Sequence, residues 1–549
     1  MSLHNPGSFI RKHHKLLFFG AWLLINLVQA GGTELFDDEA YYWVYSRFPA
    51  WGYFDHPPMI AILIRAGYLL FHNEFGVRLL IVCAGTATLY FIGELTARKD
   101  DRLFYAMACA MAVLQIGGFM AVPDIPLLFF ATLFFWVYRL FLRQTNLRHA
   151  LLLGLVIALM LYSKYHGLLV IVFTFLSFPR LLLKYASWLA IGVAILLYFP
   201  HIYWQYQHGF PSIQFHLLGR NAAHYQASFT IEYIIGQLLM AGPFAGFILI
   251  GAALVYRPAD RLEKALRYNL VGFYLFFLLS TLKGRVEANW TLPSLIGLMV
   301  LSHQYLVDRE RLARWIYRLA PLTLMGVMIG RTYMMMDLPR SRSILKDEVH
   351  GNRQWVGVIR RQSGGLPVVF LDSYQLASKY WFYSGLPSFS LNSPYGRRNN
   401  FNFWSLEDSL TGKRVYVVGP IRNPVFTEKI DLPGWTKNKG KRVDRYFSFS
   451  RVSVGADGMV SVPAACLPLF QQPEFAPIRI EAAIFKEDSL VGFFPTGMVL
   501  KDLRKTRTPF PGYTPPALPA GAYQLRYSLS SCITGTPTVN SAGFTLIIP

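Results

Sequence analysis

Leu16-Leu-Phe-Phe-Gly-Ala-Trp-Leu-Leu-Ile-Asn-Leu-Val-Gln-Ala-Gly-Gly-Thr33 carries no charged side chain. At about 1.5 Å per helical residue, such a run is nearly long enough to cross a hydrocarbon core of about 30 Å. Arg11, Lys12 and Lys15 precede it, whereas the stretch from Gly31 to Pro58 holds Glu34, Asp37, Asp38, Glu39 and Asp55 against Arg47. Cytoplasmic loops collect Lys and Arg, so the N-terminus reads as inside and the acidic stretch as outside. No small-residue cleavage site is evident near Gln29–Gly32, and the segment reads as an uncleaved first helix.

The same pattern continues outward from this stretch. Charge-free runs cover Leu103–Pro123, Tyr185–Gly219, Tyr233–Tyr256 and Ala288–Val307, and shorter ones cover Leu79–Gly93, Ile125–Tyr138, Ala150–Ser163, Gly167–Pro179, Tyr268–Leu282 and Leu319–Gly330. Together these predict about eleven transmembrane helices. Basic clusters fall in alternate loops, at Arg98/Lys99/Arg102, Arg139/Arg143/Arg148, Arg180/Lys184, Arg257/Arg261/Lys264/Arg267 and Arg309/Arg311/Arg314/Arg318. All of them come out cytoplasmic under that count.

Composition agrees with this picture. The 549 residues are 53% hydrophobic, 16% aromatic and 15% charged, against about 25% charged in a soluble chain. The mean hydropathy is +0.33. A disordered, collagenous, coiled-coil or purely soluble protein is excluded. Lys+Arg 53 against Asp+Glu 31 gives a net charge of +22. In a membrane protein that excess marks topology and does not call for nucleic acid.

Beyond about Pro339 the texture changes. Short alternating segments appear at Pro367–Leu371, Arg414–Val418, Ile478–Glu481 and Tyr523–Ser528, punctuated by turn residues, and predict strands. The expected organisation is a transmembrane domain over 1–338, a mixed α/β domain over 339–472 and a β-rich tail over 473–549 with the character of a small sandwich. An odd number of spans puts the last two on the outer side. Cys466 and Cys532 can pair only if that side is oxidising.

Polar groups gather at the outer ends of the spans. Phe36-Asp-Asp-Glu-Ala-Tyr-Tyr-Trp43 and Trp51-Gly-Tyr-Phe-Asp-His-Pro-Pro-Met59 alternate carboxylates with aromatic rings. Neighbouring carboxylates raise one another's pKa, which suits a general base, and ring faces suit a sugar. The alternative is a solvated loop within an aromatic belt. Asp124, in Val122-Pro-Asp-Ile-Pro-Leu127, is the only charge from Leu103 to Tyr138. A carboxylate at that depth marks a functional site or caps the helix that follows. Lys164, in Tyr162-Ser-Lys-Tyr-His-Gly167, suits a phosphate or snorkels to the interface. Lys283 and Arg285, in Lys283-Gly-Arg-Val-Glu-Ala-Asn-Trp290, suit an anionic head group or end a loop. His201, His208, His216 and His224 share one outer stretch, fit no compact metal motif and read as interfacial residues. There is no Walker A loop, no dinucleotide fingerprint, no H-E-x-x-H and no C-x-x-C.

Asp38-Glu-Ala-Tyr-Tyr-Trp43 followed by Gly52-Tyr-Phe-Asp-His-Pro-Pro58 resembles bacterial GT-C glycosyltransferases of the protein O-mannosyltransferase and lipid A aminoarabinose transferase superfamily. Val122-Pro-Asp-Ile-Pro126, Ser163-Lys-Tyr165, Arg285-Val-Glu-Ala-Asn-Trp290 and Tyr374-Gln-Leu-Ala-Ser378 resemble further family segments in the same order, over roughly residues 30–400. The resemblance implies a multi-pass inner-membrane enzyme of GT-C type. It would move a sugar from a polyprenyl-phosphate donor to an envelope lipid, glycan or protein on the outer face, with inversion. It implies Asp38 as the catalytic carboxylate, with Asp37 beside it as a second candidate, and Asp124 as the second acidic position. His56 stands where many relatives have a phosphate-binding lysine, so donor phosphate binding would fall to His56, Lys164, Tyr165, Lys283 and Arg285. Sugar or acceptor contacts would come from Glu39, Tyr41, Tyr42, Asp55, Glu287, Asn289, Trp290 and Tyr374. Some relatives use a divalent metal (Mg, Mn or Zn), which here would sit between Asp38 and Asp124. The competing class is a transporter or flippase for an isoprenoid-linked or anionic lipid, which usually shows two repeated halves that this sequence lacks.

Overall fold

The computed structural model describes residues 6–217, 224–336, 347–394, 398–420, 428–430, 432, 438–447, 449–455, 457–486, 489–510, 513–515, 517–530, 537–541 and 543–549. It divides into two compact units, Met1–Asp337 and Leu338–Pro549.

The first unit is helical throughout. In order come α1 (Pro6–Gly32), α2 (Asp37–Arg47), α3 (Met59–Leu70), α4 (Glu74–Leu95), α5 (Asp101–Ala110), α6 (Ala112–Gly117), α7 (Asp124–Arg143) and α8 (Leu147–Ser163). Then follow α9 (Gly167–Ser177), α10 (Tyr185–Gln207), α11 (Pro211–Leu217), α12 (Ala227–Ala241), α13 (Gly246–Val255), α14 (Arg261–Ser280), α15 (Ser294–Leu306) and α16 (Glu310–Met335). Lys12–Gly32 of α1, with α4, α7, α10 and α16, gives five helices long and apolar enough to cross a membrane, and the bent pair α12–α13 makes a sixth. Shorter apolar helices are α3, α8, α9 and α15. The chain is therefore a multi-pass helical membrane protein, but its apolar runs do not become eleven unbroken spans.

Local chemistry explains where the runs break. Leu103–Pro123 is interrupted at Met111, whose backbone is extended, and the Gln115 side chain donates to the Cys109 carbonyl at 2.8 Å. That bond satisfies an acceptor the broken helix leaves behind. Tyr233–Tyr256 turns through 90° between α12 and α13. Gly242 there has φ +139°, a conformation other residues rarely adopt, and Pro243 offers no backbone N–H. The acidic stretch after α1 is the helix α2 followed by a largely buried turn, and not a solvated loop. α3 packs closely on α4 because Gly67 and Gly76 face each other's backbone, where a Cβ would strike carbonyl oxygens.

Two ends of the bundle carry different chemistry. At one end Lys15 pairs with Glu94 at 3.2 Å, Arg139 donates to the Glu94 carbonyl at 2.7 Å, and Arg98 pairs with Asp308. Near the other end of α4, Arg78 is fully buried and forms an ion pair with Glu39 of α2. About 24 Å of helix separates Arg78 from Glu94 at about 1.5 Å per residue. The Arg78 guanidinium also donates to the carbonyls of Ala30 (3.0 Å), Thr33 (2.6 Å) and Glu34 (3.0 Å). Glu39 accepts from the backbone N–H groups of Phe36 (3.0 Å) and Ala121 (2.7 Å). One ion pair thus joins the end of α1, the start of α2, α4 and the turn ahead of α7.

The second unit contains three sheets. The first has the order β2-β1-β3-β5-β4, from β1 (Val368–Leu371), β2 (Ser388–Leu391), β3 (Val415–Pro420), β4 (Glu428–Lys429) and β5 (Asn438–Val443). β1 pairs in parallel with both β2 and β3. Helices α17 (Asn352–Ser363) and α18 (Tyr374–Ser384) belong to it, α18 being the crossover between β1 and β2. The second sheet joins β6 (Ser453–Val454), β7 (Met459–Ser461) and β10 (Arg507–Pro509); the third has the order β12-β11-β8-β9, from β8 (Arg479–Lys486), β9 (Ser489–Val499), β11 (Gly521–Ser530) and β12 (Phe544–Ile548). All four strands expected from alternation are present. Pairing of β10 with β7 crosses the boundary read at 472/473, and the Asn540 side chain donates to the carbonyls of Phe449 and Val452. Cys466 is buried and unpaired, and Cys532 lies outside the described residues.

Breaking the Arg78–Glu39 pair tests its weight. Glu39→Gln leaves a buried guanidinium without its counter-charge and is expected to cost about 3–5 kcal/mol, read as a lower Tm and less monodisperse protein in detergent. Glu39→Met combined with Arg78→Met should stay destabilised, because the carbonyls of Ala30, Thr33 and Glu34 and the N–H groups of Phe36 and Ala121 lose their partners. A single variant as stable as the parent contradicts the assignment.

Candidate active site

Three consecutive acids open α2, and the helix sorts them. Asp37 is 8% exposed and Glu39 0%, while Asp38 between them is exposed. α2 is buried on almost every side, and Asp38 sits at its exposed opening. Glu39, expected to contact sugar, is instead committed to Arg78 and two backbone donors and is a structural residue.

The aromatic residues of α2 are also turned inward. Tyr41 is 1% and Tyr42 5% exposed. Their rings pack on Tyr45, at centroid distances of 4.7 and 5.6 Å, so they do not present open faces. Tyr45 stacks on Tyr53 at 4.1 Å and donates to the Asp55 carboxylate. Burial, reinforced by the Asp55 charge, pushes the Tyr45 phenol well above its ordinary pKa and keeps it a donor. Asp55 is 4% exposed, and its expected role in sugar contact gives way to anchoring the turn. Among the aromatic residues of this turn, Trp51 is open to solvent.

The turn from Trp51 to Pro58 is held by residues far along the chain. His216 donates from Nε2 to the Asp55 carbonyl at 3.0 Å. His201 Nδ1 meets the Trp51 carbonyl at 2.7 Å; a carbonyl only accepts, so the proton sits on Nδ1 and Nε2 is an acceptor. Tyr165 therefore donates to His201 Nε2 at 3.1 Å and accepts from Gln205 at 2.9 Å. Gln205 also donates to Ser212, which donates to the Tyr53 carbonyl at 3.0 Å. His56 lies beside this network, its ring 5.5 Å from Tyr42 and 6.4 Å from His216. Reading all four outer histidines as interfacial is thus corrected: His201 (1% exposed) and His216 brace the turn, whereas His208 and His224 are exposed.

Asp124 and Lys164 find each other. Lys164 Nζ lies 2.8 and 2.9 Å from the two Asp124 oxygens, and both side chains are buried. Lys164 is therefore neutralised within the protein, and Asp124 has both oxygens engaged. The residue expected to bind phosphate and the second acidic position are thus partners of one another inside the fold. Among the described residues no group of three or more His, Cys, Asp or Glu is arranged to hold a metal ion.

The stretch after α14 is open. Arg285 is exposed and pairs with Glu232 at 3.3 Å, and Lys283 and Glu287 are exposed as well. Asn289 is half-buried, and Trp290 packs its ring against His166 and Phe277, each at 5.6 Å. Tyr374 begins α18 in the second unit and is half-buried. Sequence reasoning also passed over a pair of arginines. Arg47 and Arg65 line a cavity of about 160 Å³ with Ser46 and Tyr68, and Arg65 donates to the Ser46 carbonyl at 2.9 Å.

Known proteins share this architecture. Residues 55–204 match the family described as dolichyl-phosphate-mannose-protein mannosyltransferase. Lipid A galacturonosyltransferase RgtD of Rhizobium johnstonii is 24% identical over 311 residues, covering 52% of this chain and 63% of RgtD. The chain thus spans less than two thirds of that relative's length. ArnT from Cupriavidus metallidurans in the apo state superposes with a TM-score of 0.59 and 12% identity, over 79% of this chain and 98% of ArnT. ArnT bound to undecaprenyl phosphate superposes with a TM-score of 0.58 and 14% identity, over 78% of this chain and 97% of ArnT. The chain thus shares the fold of ArnT, and residues 55–204 carry the similarity to the mannosyltransferase family.

The Asp124–Lys164 geometry gives a discriminating prediction. Asp124→Asn and Lys164→Met should each destabilise the protein by about 3–5 kcal/mol, because each strands a buried partner, whereas Asp124→Leu with Lys164→Met should melt near the parent's Tm. Lys164→Met that keeps its Tm but loses affinity for a polyprenyl phosphate would make Lys164 a ligand instead.

Proposed function

We propose that the chain transfers a sugar from a polyprenyl-phosphate donor to an envelope acceptor on the extracytoplasmic side, with inversion. The observation that carries this reading is the sorting of the α2 acids, which presents Asp38 while burying Asp37 and Glu39. The fold in which this occurs is shared with ArnT, solved with undecaprenyl phosphate bound. The lipid A named for RgtD makes a lipid acceptor the first to test. The basic turns at the opposite end of α4 favour an outward-facing site under the positive-inside rule.

In this reading the donor's chain stays in the bilayer and no nucleotide is needed. The bond between the anomeric carbon and the phosphate oxygen breaks, and the electron pair leaves with polyprenyl phosphate. The acceptor oxygen attacks from the opposite face, and Asp38 takes its proton. His56, beside His216 and the buried Tyr42, supplies a donor to the departing phosphate oxygens. Exposed Trp51 offers a ring face to the sugar.

Membranes carrying Asp38→Asn, given a radiolabelled polyprenyl-phosphate sugar, are expected to lose transfer by about 10²–10⁴-fold, the range for a removed general base, with Tm unchanged. Asp37→Asn should retain most of the activity. Undiminished transfer by Asp38→Asn would remove it from the reaction, and lipid translocation without transfer would support a flippase.

A further inference from the structure

α16 carries a second deeply buried arginine. Arg331 is 3% exposed. Its guanidinium donates to the Asn26 side chain at 2.6 Å and to the Gln115 carbonyl, and it contacts the Ile25 carbonyl at 3.5 Å. All three partners are neutral, and Nε has no hydrogen-bond partner. The contrast with Arg78 is direct. Both guanidiniums lie over the Phe119 ring, at 5.6 and 5.4 Å from its centroid, but Arg78 has Glu39 as counter-ion. An arginine keeps its charge in a protein, and a charge at membrane depth without a counter-charge is costly.

Arg331 also lines a cavity of about 130 Å³ between α1 and α16. Its walls include Trp22, Ile25, Leu324 and Met328, with Asn26 at the polar end. Ile25 (42% exposed), Leu324 (37%) and Met328 (40%) open it toward the apolar outer surface of the bundle. A cationic floor under hydrocarbon walls, reached from the lipid side, has the chemistry of a lipid phosphate with its chain beside it. None of the walls comes from α2, the Trp51–Pro58 turn, α8 or α9.

We propose that this cleft holds the phosphate of an anionic bilayer phospholipid, which supplies the counter-charge to Arg331 while an acyl chain lies along Ile25, Leu324 and Met328. The site is separate from sugar transfer and does not rest on that reading.

The test measures lipid retained by the full chain after exchange from phosphatidylglycerol or phosphatidylcholine nanodiscs into detergent, by native mass spectrometry. The parent is expected to retain phosphatidylglycerol over phosphatidylcholine. Arg331→Gln should weaken retention about tenfold, the scale of a lost charge-assisted hydrogen bond. Met328→Trp, which fills the cleft from its exposed side and keeps the arginine, should do the same. Arg98→Gln, at the opposite end of the bundle, should retain lipid as the parent does. Equal retention of the two lipids, or retention unaffected by both cleft variants, overturns the proposal. Undecaprenyl phosphate displacing phosphatidylglycerol at equimolar amounts in an Arg331-dependent way overturns it too, and assigns the cleft to the donor.

Discussion

The buried pair between Arg78 and Glu39 is the constraint on which the α2 end of the helical unit depends. A guanidinium with donors in fixed directions can hold a carboxylate and several carbonyls at once, and here those acceptors belong to segments that meet nowhere else in sequence. Satisfying one side chain therefore sets the start of α2 relative to α1, α4 and the turn ahead of α7. Glu39 is thereby held inward, and Asp38 is the exposed acid on a helix that is otherwise almost wholly buried.

Charge at this end is sorted by pairing. Lys164 is answered by Asp124, Arg78 by Glu39 and Arg285 by Glu232. Taking a charge out of water is repaid only by a partner with good geometry, which the first two pairs supply inside the fold, while Arg285 and Glu232 meet at the surface. Asp38 is exposed and His56 half-buried, and the arginines Arg47 and Arg65 line a cavity beside α2. Arg331 stands apart as a buried cation with neutral partners. The network through Tyr45, Asp55, His216, Tyr165 and His201 gives the Trp51–Pro58 turn its shape and so positions His56.

Much of this was legible in the sequence, because it rests on short-range patterns. Long uncharged runs gave the membrane class, alternating segments gave the four strands, and the Asp38–Trp43 and Gly52–Pro58 motifs led to the superfamily. What escaped depends on contacts distant in sequence. The pairing of Asp124 with Lys164, and the use of His201 and His216 to brace a turn near Asp55, have no local signal. The breaks at Met111 and Gly242 were hidden by uniform hydrophobicity, although Gly242-Pro243 is a recognisable interruption. Arg78 and Arg331 did leave a trace. Each terminates an apolar run at an outer end, where the positive-inside rule does not call for a basic residue. A cation in that position is better read as buried and bonded than as a loop charge.

In the proposed transfer Asp38 stands beside the acceptor oxygen as it attacks a lipid-linked sugar. A cryo-electron microscopy structure of the full chain in nanodiscs with a polyprenyl-phosphate sugar tests it most directly. The account predicts the sugar within hydrogen-bond reach of the Asp38 carboxylate, the phosphate beside His56 and the isoprenoid chain leaving into the bilayer. A sugar bound at a distance from α2, with Asp38 facing bulk solvent, would contradict it.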